Sequence, residues 1–356
     1  VANLLLFNLA TDADDPILGF TTNWINRLAT YYERVDVITM RAGRLAVASN
    51  VHVHSVGKER RYSEARRAVE FYRLLGGLLA ARRYRACFAH MMPLFAAMGV
   101  PLLKPRRVPI VLWYTHRQAH RTLQLALKVS DYVVTAAADS FPLRTPKLRV
   151  LGHGIDTDFF RPGTATNGAT PRDYVVQVAR LMPIKHQATL IRALAEMRDA
   201  GKGAYAVLVG DVPAGQSDSY RRELQQLAAD LRVSEQVIFA GSQTPDGVRD
   251  WLRRSSVAVN LSPAGLFDKA ALESMAVGVP TVVSSSAFDP LLGDYTPLLR
   301  LNSPEDHAGL ASHLQTLLAF NPIQRAVLSS ALRSRVTAAH SLDSLIPRLV
   351  SVLGER

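Results

Sequence analysis

A chain of 356 residues is long enough for two domains with separate cores, and 48% hydrophobic with 20% charged residues excludes disorder. A single cysteine, Cys87, excludes an intrachain disulfide, and the longest apolar run of the first half, Leu74–Ala81, falls far short of the ~20 residues that span a bilayer. The formal charge of +12 lies wholly in residues 1–150, where 22 Lys and Arg face 10 Asp and Glu, but no recognition motif accompanies it, which argues against nucleic-acid binding.

The start, Val1-Ala2-Asn3-Leu4-Leu5-Leu6-Phe7, has no basic leader or cleavage site and reads as the first strand, Asn3–Leu9. Further strands are expected at Val35–Met40, Val51–Val56, Ala86–His90, Ile110–Tyr114, Tyr132–Ala136 and Arg149–Leu151. The second half offers Tyr174–Val178, Ala206–Val209, Val237–Ala240, Val257–Leu261, Thr281–Ser284 and Leu298–Leu301. Strands alternate with helical segments throughout, the pattern of parallel sheets covered by helices on both faces. Gly163–Pro171 reads as a polar linker, and the tail from Ser341 to Leu353 carries an apolar stripe at helical spacing.

Within the first half, Asp14-Asp15-Pro16-Ile17-Leu18-Gly19-Phe20 follows the first strand and opens a helix containing Trp24, Ile25 and Leu28. Gly19 would let backbone approach a ligand there, although a plain strand-to-helix turn accounts for it equally well. The segment 58–67 is Lys- and Arg-rich and runs into Val69, Tyr72, Leu75 and Leu79, a stripe expected in the core. Arg60, Arg61, Arg66 and Arg67 are expected either in water or against an anionic surface. His90 and His116 both end strands; His90 reads as structural, whereas His116, in Trp113-Tyr114-Thr115-His116, stands where a ligand edge is expected. His52 and His54 share a strand face without further ligands, and no metal site is expected.

Gly152-His153-Gly154 has the glycines of a hinge between two domains. Past it, Tyr174–Val178 leads into Arg180-Leu181-Met182-Pro183-Ile184-Lys185 and a helix through Met197. Most informative is Ser262–Ser285, a loop, a helix bearing Glu273, a Gly278 turn before Pro280, and an apolar run Val279–Val283 that reads as a central strand. A carboxylate on such a helix needs a partner, and a helix that starts at the carboxyl end of a strand presents free N–H groups. A nucleotide site follows, with phosphates near Phe267–Lys269 and ribose hydroxyls on Glu273.

These segments together resemble the retaining glycosyltransferases of family 4, which have the GT-B fold: α/β, two doubly wound Rossmann-like domains facing a central cleft. Glu273, Ser274-Met275-Ala276, Gly278 and Pro280 match the second half of that family's signature. The first Glu falls on Gly265, and Leu266-Phe267-Asp268 replaces a Gly-Phe-Gly turn. The resemblance implies that Arg180 and Lys185 meet the donor diphosphate, that His116 touches the donor sugar, and that Gly19 belongs to a glycine-rich loop. The family usually has Gly where His186 stands. Asp268 serves either as a helix cap or in the sugar contact left vacant at Gly265; Lys269 serves either that contact or the phosphates.

The expected layout is an acceptor-binding domain over residues 1–160 and a nucleotide-sugar domain over 161–340, with the last helix, 341–356, returning to the first. The resemblance further implies a nucleotide-sugar donor, a sugar or lipid-linked acceptor and no cofactor or metal. The single cysteine points to a reducing cytoplasm, and the basic first half is expected either in water or at the inner face of an anionic membrane. The loss of the first Glu motivates a second reading, a degenerate binding subunit, and a soluble small-molecule acceptor is a third.

Overall fold

The computed structural model describes residues 2–15, 18–116, 118–163, 173–213 and 215–355. Nearly all of the proposed linker after Gly163, and Pro16–Ile17 of the first loop, lie outside them. The chain divides into two compact units, Val1–Gly154 with Leu342–Arg356, and Ile155–Ser341.

The first unit carries β1 (Asn3–Thr11), β2 (Arg34–Ala42), β3 (Val51–Ser55), β4 (Tyr84–His90), β5 (Ile110–Trp113), β6 (Tyr132–Thr135) and β7 (Leu148–Val150). They form one parallel sheet in the order β3-β2-β1-β4-β5-β6-β7, which reverses direction between β1 and β4. Its helices are α1 (Phe20–Ala29), α2 (Glu64–Ala81), α3 (Pro93–Leu103) and α4 (Arg121–Val129), together with the C-terminal helix Leu342–Gly354. Side chains alternate across β1, so Leu5 and Phe7 enter the cluster of Phe71, Leu75 and Phe95 while Leu4 and Leu6 face the other side. The C-terminal helix packs on α1 and β4 with Leu342, Leu345, Ile346, Leu349, Val352 and Leu353 buried.

In α2 the buried stripe is Phe71, Leu75, Leu78 and Leu79, not the expected Val69 and Tyr72, which are 68% and 39% exposed. Tyr72 instead sets its ring edge-on to Phe71, with centroids 5.5 Å apart. The stripe is rotated because Phe71, which carries no polar group, fills the space over β1 against Phe7 and Phe95. Arg67 is half-buried and donates to the Tyr62 carbonyl at 2.9 Å, so it braces the helix start. Arg60, Arg61 and Arg66 are exposed, and the Arg66 guanidinium lies 3.7 Å from the centre of the Tyr62 ring.

The second unit carries β8 (Tyr174–Val178), β9 (Tyr205–Val209), β10 (Val237–Gly241), β11 (Val257–Asn260) and β12 (Thr281–Val283), parallel and in the order β10-β9-β8-β11-β12. Its helices are α5 (Gln187–Asp199), α6 (Ser219–Asp230), α7 (Pro245–Arg254), α8 (Lys269–Val277), α9 (Asp289–Leu292), α10 (Thr296–Leu299), α11 (His307–Leu318) and α12 (Pro322–His340).

Two expectations change here. β12 is an edge strand, not a central one; its full burial comes from α8 and from a bridge of Val283 to Arg300. The expected strand Leu298–Leu301 is the end of α10, which starts with Pro297 in its first turn, and only the Arg300–Leu301 step reaches Val283.

Candidate phosphate site at the strand-order switch of the second unit

The strand order of the second unit reverses between β8 and β11, so their carboxyl ends flank a crevice where α/β proteins bind ligands. The two motifs with the strongest sequence signals leave from these two strands. Arg180–Lys185 follows β8, and Ser262–Asp268 follows β11.

The loop after β8 is held by two buried glutamines that sequence reasoning did not single out. Gln177 donates to the Lys185 carbonyl at 2.6 Å, and Gln187 donates to the Arg180 carbonyl at 2.8 Å. Both are under 3% exposed, and among the described residues the side-chain oxygen of each has no hydrogen-bond partner. Buried amides that clamp loop carbonyls are a general way to fix a binding loop, and only the polar residue inside the apolar strand, Gln177, gave a sequence signal. His186 sits between loop and helix at φ +53°, ψ +38°, the left-handed region that accounts for the Gly expected there. Burial lowers the pKa of its imidazole, against the pull of Glu305.

The Lys185 ammonium is 2.5 Å from Asp268 Oδ2 and 2.9 Å from Ser262 Oγ. Asp268 Oδ2 also accepts from the Ser262 hydroxyl and, at 3.3 Å, from the Asn260 amide. Burial pushes the Asp268 pKa up, but the Lys185 charge and the hydrogen bonds from Lys185, Ser262 and Asn260 outweigh it, so the carboxyl stays below its usual range. Asp268 occupies the N-cap position of α8 without capping it, since its side chain accepts no N–H from the helix. The Asp268 side chain therefore leaves the amide donors of the first turn of α8 unoccupied by it.

Arg180 is exposed, and its side chain forms no ion pair with a described residue. Lys269, at the first position of α8, lies against the positive end of the helix dipole, and Glu273 one turn on meets it at 3.0 Å. Glu273 is 9% exposed, as a helix carboxylate facing a sheet would be, and Lys269 is its partner. Gly265 has φ +77° in a turn closed by the Leu266 N–H on the Pro263 carbonyl, a conformation in which a glutamate would be strained. Leu266 is half-buried in the same turn. Phe267 is an anchor: its ring packs on Phe288 and His340 at 4.5 and 4.9 Å. Gly278 then ends α8 in the left-handed conformation, and Arg333 donates to the Ala276 carbonyl beside it.

In the first unit, Gly19 follows β1 and His90 ends β4, at that sheet's own switch. A Cβ on Gly19 would stand 2.6 Å from the Asp15 carbonyl oxygen, so the loop's own packing requires this glycine. His90 is 4% exposed among Phe20, Trp24, Phe88 and Trp113, with Nδ1 3.3 Å from Asn8 Oδ1. Burial lowers its pKa to about 4, so it is neutral, and Nδ1–H donates to Asn8. His116 is exposed, and its Nδ1 accepts from the Gln118 N–H at 3.3 Å, which leaves Nε2 turned to solvent as a donor. His54 meets the buried Asp36 at 3.2 Å, where Arg34 and Tyr84 also bind, so it serves the sheet. Among the described residues no group of three or more His, Cys, Asp or Glu could hold a metal ion.

Residues 172–319 match the family model described as Glycosyl transferases group 1. That stretch contains β8, the Arg180–Lys185 loop, β11 and α8. Among curated proteins, the D-inositol 3-phosphate glycosyltransferase of Acidothermus cellulolyticus is 33% identical over 156 residues, 41% of this chain and 35% of that protein. A GDP-mannose-dependent alpha-(1-6)-phosphatidylinositol monomannoside mannosyltransferase of Mycobacterium tuberculosis is 31% identical over 179 residues, 46% of this chain and 44% of that protein. The chain thus aligns with less than half the length of either relative. Among solved structures, HepE of Anabaena in complex with UDP and glucose covers both chains fully with TM-score 0.77 at 17% identity. A glycosyltransferase of Rickettsia africae gives TM-score 0.79 at 11% identity, covering 99% of this chain and 98% of the other. At such identities the likeness shows the fold, and the fold is GT-B.

Proposed function

We propose that the protein transfers a sugar from a nucleotide-sugar donor to an acceptor with retention at the anomeric carbon, as family 4 glycosyltransferases do. The observation that carries this reading is the convergence of Lys185, Ser262, Asn260 and the uncapped start of α8 at the switch between β8 and β11. This is an anion receptor built from an ammonium, a hydroxyl, an amide and helix N–H groups, which suits a diphosphate without calling for a cofactor or metal. The match of residues 172–319 to a glycosyltransferase model supports it.

In this reading the donor binds the second unit. Arg180 and Lys185 stabilise the diphosphate as it departs, where added negative charge makes fixed cations most effective. Glu273 takes the ribose hydroxyls when Lys269 turns to the phosphates. Displacement proceeds on the face that the diphosphate leaves, and a phosphate oxygen takes the acceptor proton. The loop Gly265-Leu266-Phe267-Asp268 shapes the sugar end. His116 offers its Nε2 donor to the sugar, and the loop at Gly19 belongs to the acceptor half.

The acceptor is lipid-linked and presented at the inner face of an anionic membrane, as a precursor of envelope glycolipid or polysaccharide. The exposed Arg60, Arg61 and Arg66 beside exposed Val69 and Tyr72 support this part, because cations next to apolar side chains suit a headgroup layer. No described helix is long and apolar enough to cross a membrane.

The test is a panel of nucleotide sugars incubated with the protein and membrane lipid extract, with free nucleoside diphosphate as the readout. Turnover of one donor, dependent on extract, is expected. Binding of a donor without turnover in any extract would favour the degenerate binding subunit instead.

A further inference from the structure

We propose that Asp268 is an internal counter-ion that occupies Lys185 in the empty site and is displaced by the donor's diphosphate. The proposal rests on the donor-phosphate reading above. Its starting point is what Asp268 does not do. It stands at the N-cap of α8, where an aspartate ordinarily accepts an N–H of the first turn, yet it makes no such bond. All its contacts instead converge on one oxygen, Oδ2: the Lys185 ammonium at 2.5 Å, the Ser262 hydroxyl, and the Asn260 amide at 3.3 Å. Oδ1 has no hydrogen bond to a described residue.

The three donors are arranged for an anion whichever anion fills them. Ser262 is fully buried and Asn260 is 4% exposed, so both are fixed by the fold rather than recruited by the carboxylate. Ser262 follows β11 directly, and Lys185 is set by the clamp of Gln177 on its carbonyl. A phosphate oxygen has the charge and acceptor capacity of Oδ2 and can replace it on all three.

Two consequences follow. An empty site holds no unpaired half-buried ammonium, which would otherwise be costly. A bound diphosphate must also compete with a tethered carboxylate, which weakens its hold and favours release of the nucleoside diphosphate product.

The experiment is calorimetric titration of GDP and UDP into the parent protein and into Asp268→Asn and Asp268→Gly. Both replacements are tolerated at an N-cap, so one serves if the other fails to fold. Removal of a like charge within reach of a bound anion changes affinity by about tenfold or more. Both variants are therefore expected to bind the preferred nucleoside diphosphate at least about tenfold more tightly than the parent. The added replacement Lys185→Met should abolish that gain. Parent-like or weaker binding in folded Asp268 variants, with the parent binding normally, overturns the counter-ion and leaves the donor site standing. Absence of GDP and UDP binding in parent and variants alike overturns the donor-phosphate reading as well.

Discussion

At the residue scale the charges of the proposed donor site decide its chemistry. In the proposed mechanism Arg180 and Lys185 both act on the diphosphate; their loop is clamped at the two carbonyls by Gln187 and Gln177, and Lys185 is also held at its ammonium by Asp268 and Ser262. Arg180→Ala and Lys185→Ala are expected to lower kcat by ~10²–10³ each, with a smaller effect on donor KM, because their charges matter most as the diphosphate departs. Steady-state kinetics with the preferred donor checks this, and near-normal kcat in both variants would remove them from the mechanism.

His90 makes a separate prediction, about stability. Its pKa is lowered by burial to about 4, below the ~6.5 of an unfolded histidine. Between those values the unfolded chain binds a proton that the native state refuses. Its contribution is thus fully present above pH 6.5 and falls away as pH drops toward 4, by about 3 kcal/mol. Asp36, held below the carboxylate range by His54, Arg34 and Tyr84 against the cost of its burial, acts in the same direction but only below about pH 4. Urea unfolding of the parent and of His90→Phe at pH 7 and pH 4.5 separates the two. The variant should lose much of the parent's decline, since Asn8 Oδ1 keeps the Leu9 N–H at 3.0 Å.

At the scale of elements, the loop from β8 to α5 is the clearest case of a local conformation set against its residue. His186 holds φ +53°, which costs an L-residue roughly 1 kcal/mol and a β-branched one more. His186→Val is expected to destabilise the protein by about 1–2 kcal/mol, while His186→Gly leaves stability within about 0.5 kcal/mol or raises it. Chemical denaturation of the pair measures the contrast; equal losses in both variants would mean that the imidazole's packing, not the backbone, governs this position.

The same elements show what the sequence discloses. Strand positions were legible because parallel strands buried on both faces read as apolar runs, and β8 falls on the expected Tyr174–Val178. Edge against centre was not, since β12 is as apolar as β11 and only its neighbours tell them apart. In α2 a helix rich in apolar residues offered two stripes, and aromatic packing around Phe71 chose between them. The partners of Asp268 were out of reach for another reason. Ser262 and Asn260 lie close in sequence, but Lys185 comes from another strand, and only the sheet order brings it there.

At the scale of the whole molecule, the charge excess of residues 1–150 lies in the first unit, and several of its arginines have structural partners. Arg67 binds a carbonyl, Arg34 binds Asp36, and Arg41 and Arg44 pair with aspartates of the first loop. Arg60, Arg61 and Arg66 near the start of α2 stay exposed, Arg60 also meeting Glu59 at 3.4 Å, and each is worth ~1 kcal/mol beside an anionic leaflet. Sedimentation with anionic vesicles is expected to bring the protein down at low salt and release it at high salt, with a clear loss when these three become Gln. A parent protein that stays in the supernatant at low salt would point to a soluble acceptor.

The most direct test of the central claim is a crystal structure of the protein with GDP or UDP, whichever binds. Phosphate oxygens are expected within hydrogen-bonding distance of Lys185 and Ser262, with Asp268 withdrawn from Lys185, Arg180 turned onto the diphosphate, and the ribose on Glu273. A nucleotide bound elsewhere, with the Lys185–Asp268 pair intact, would contradict it.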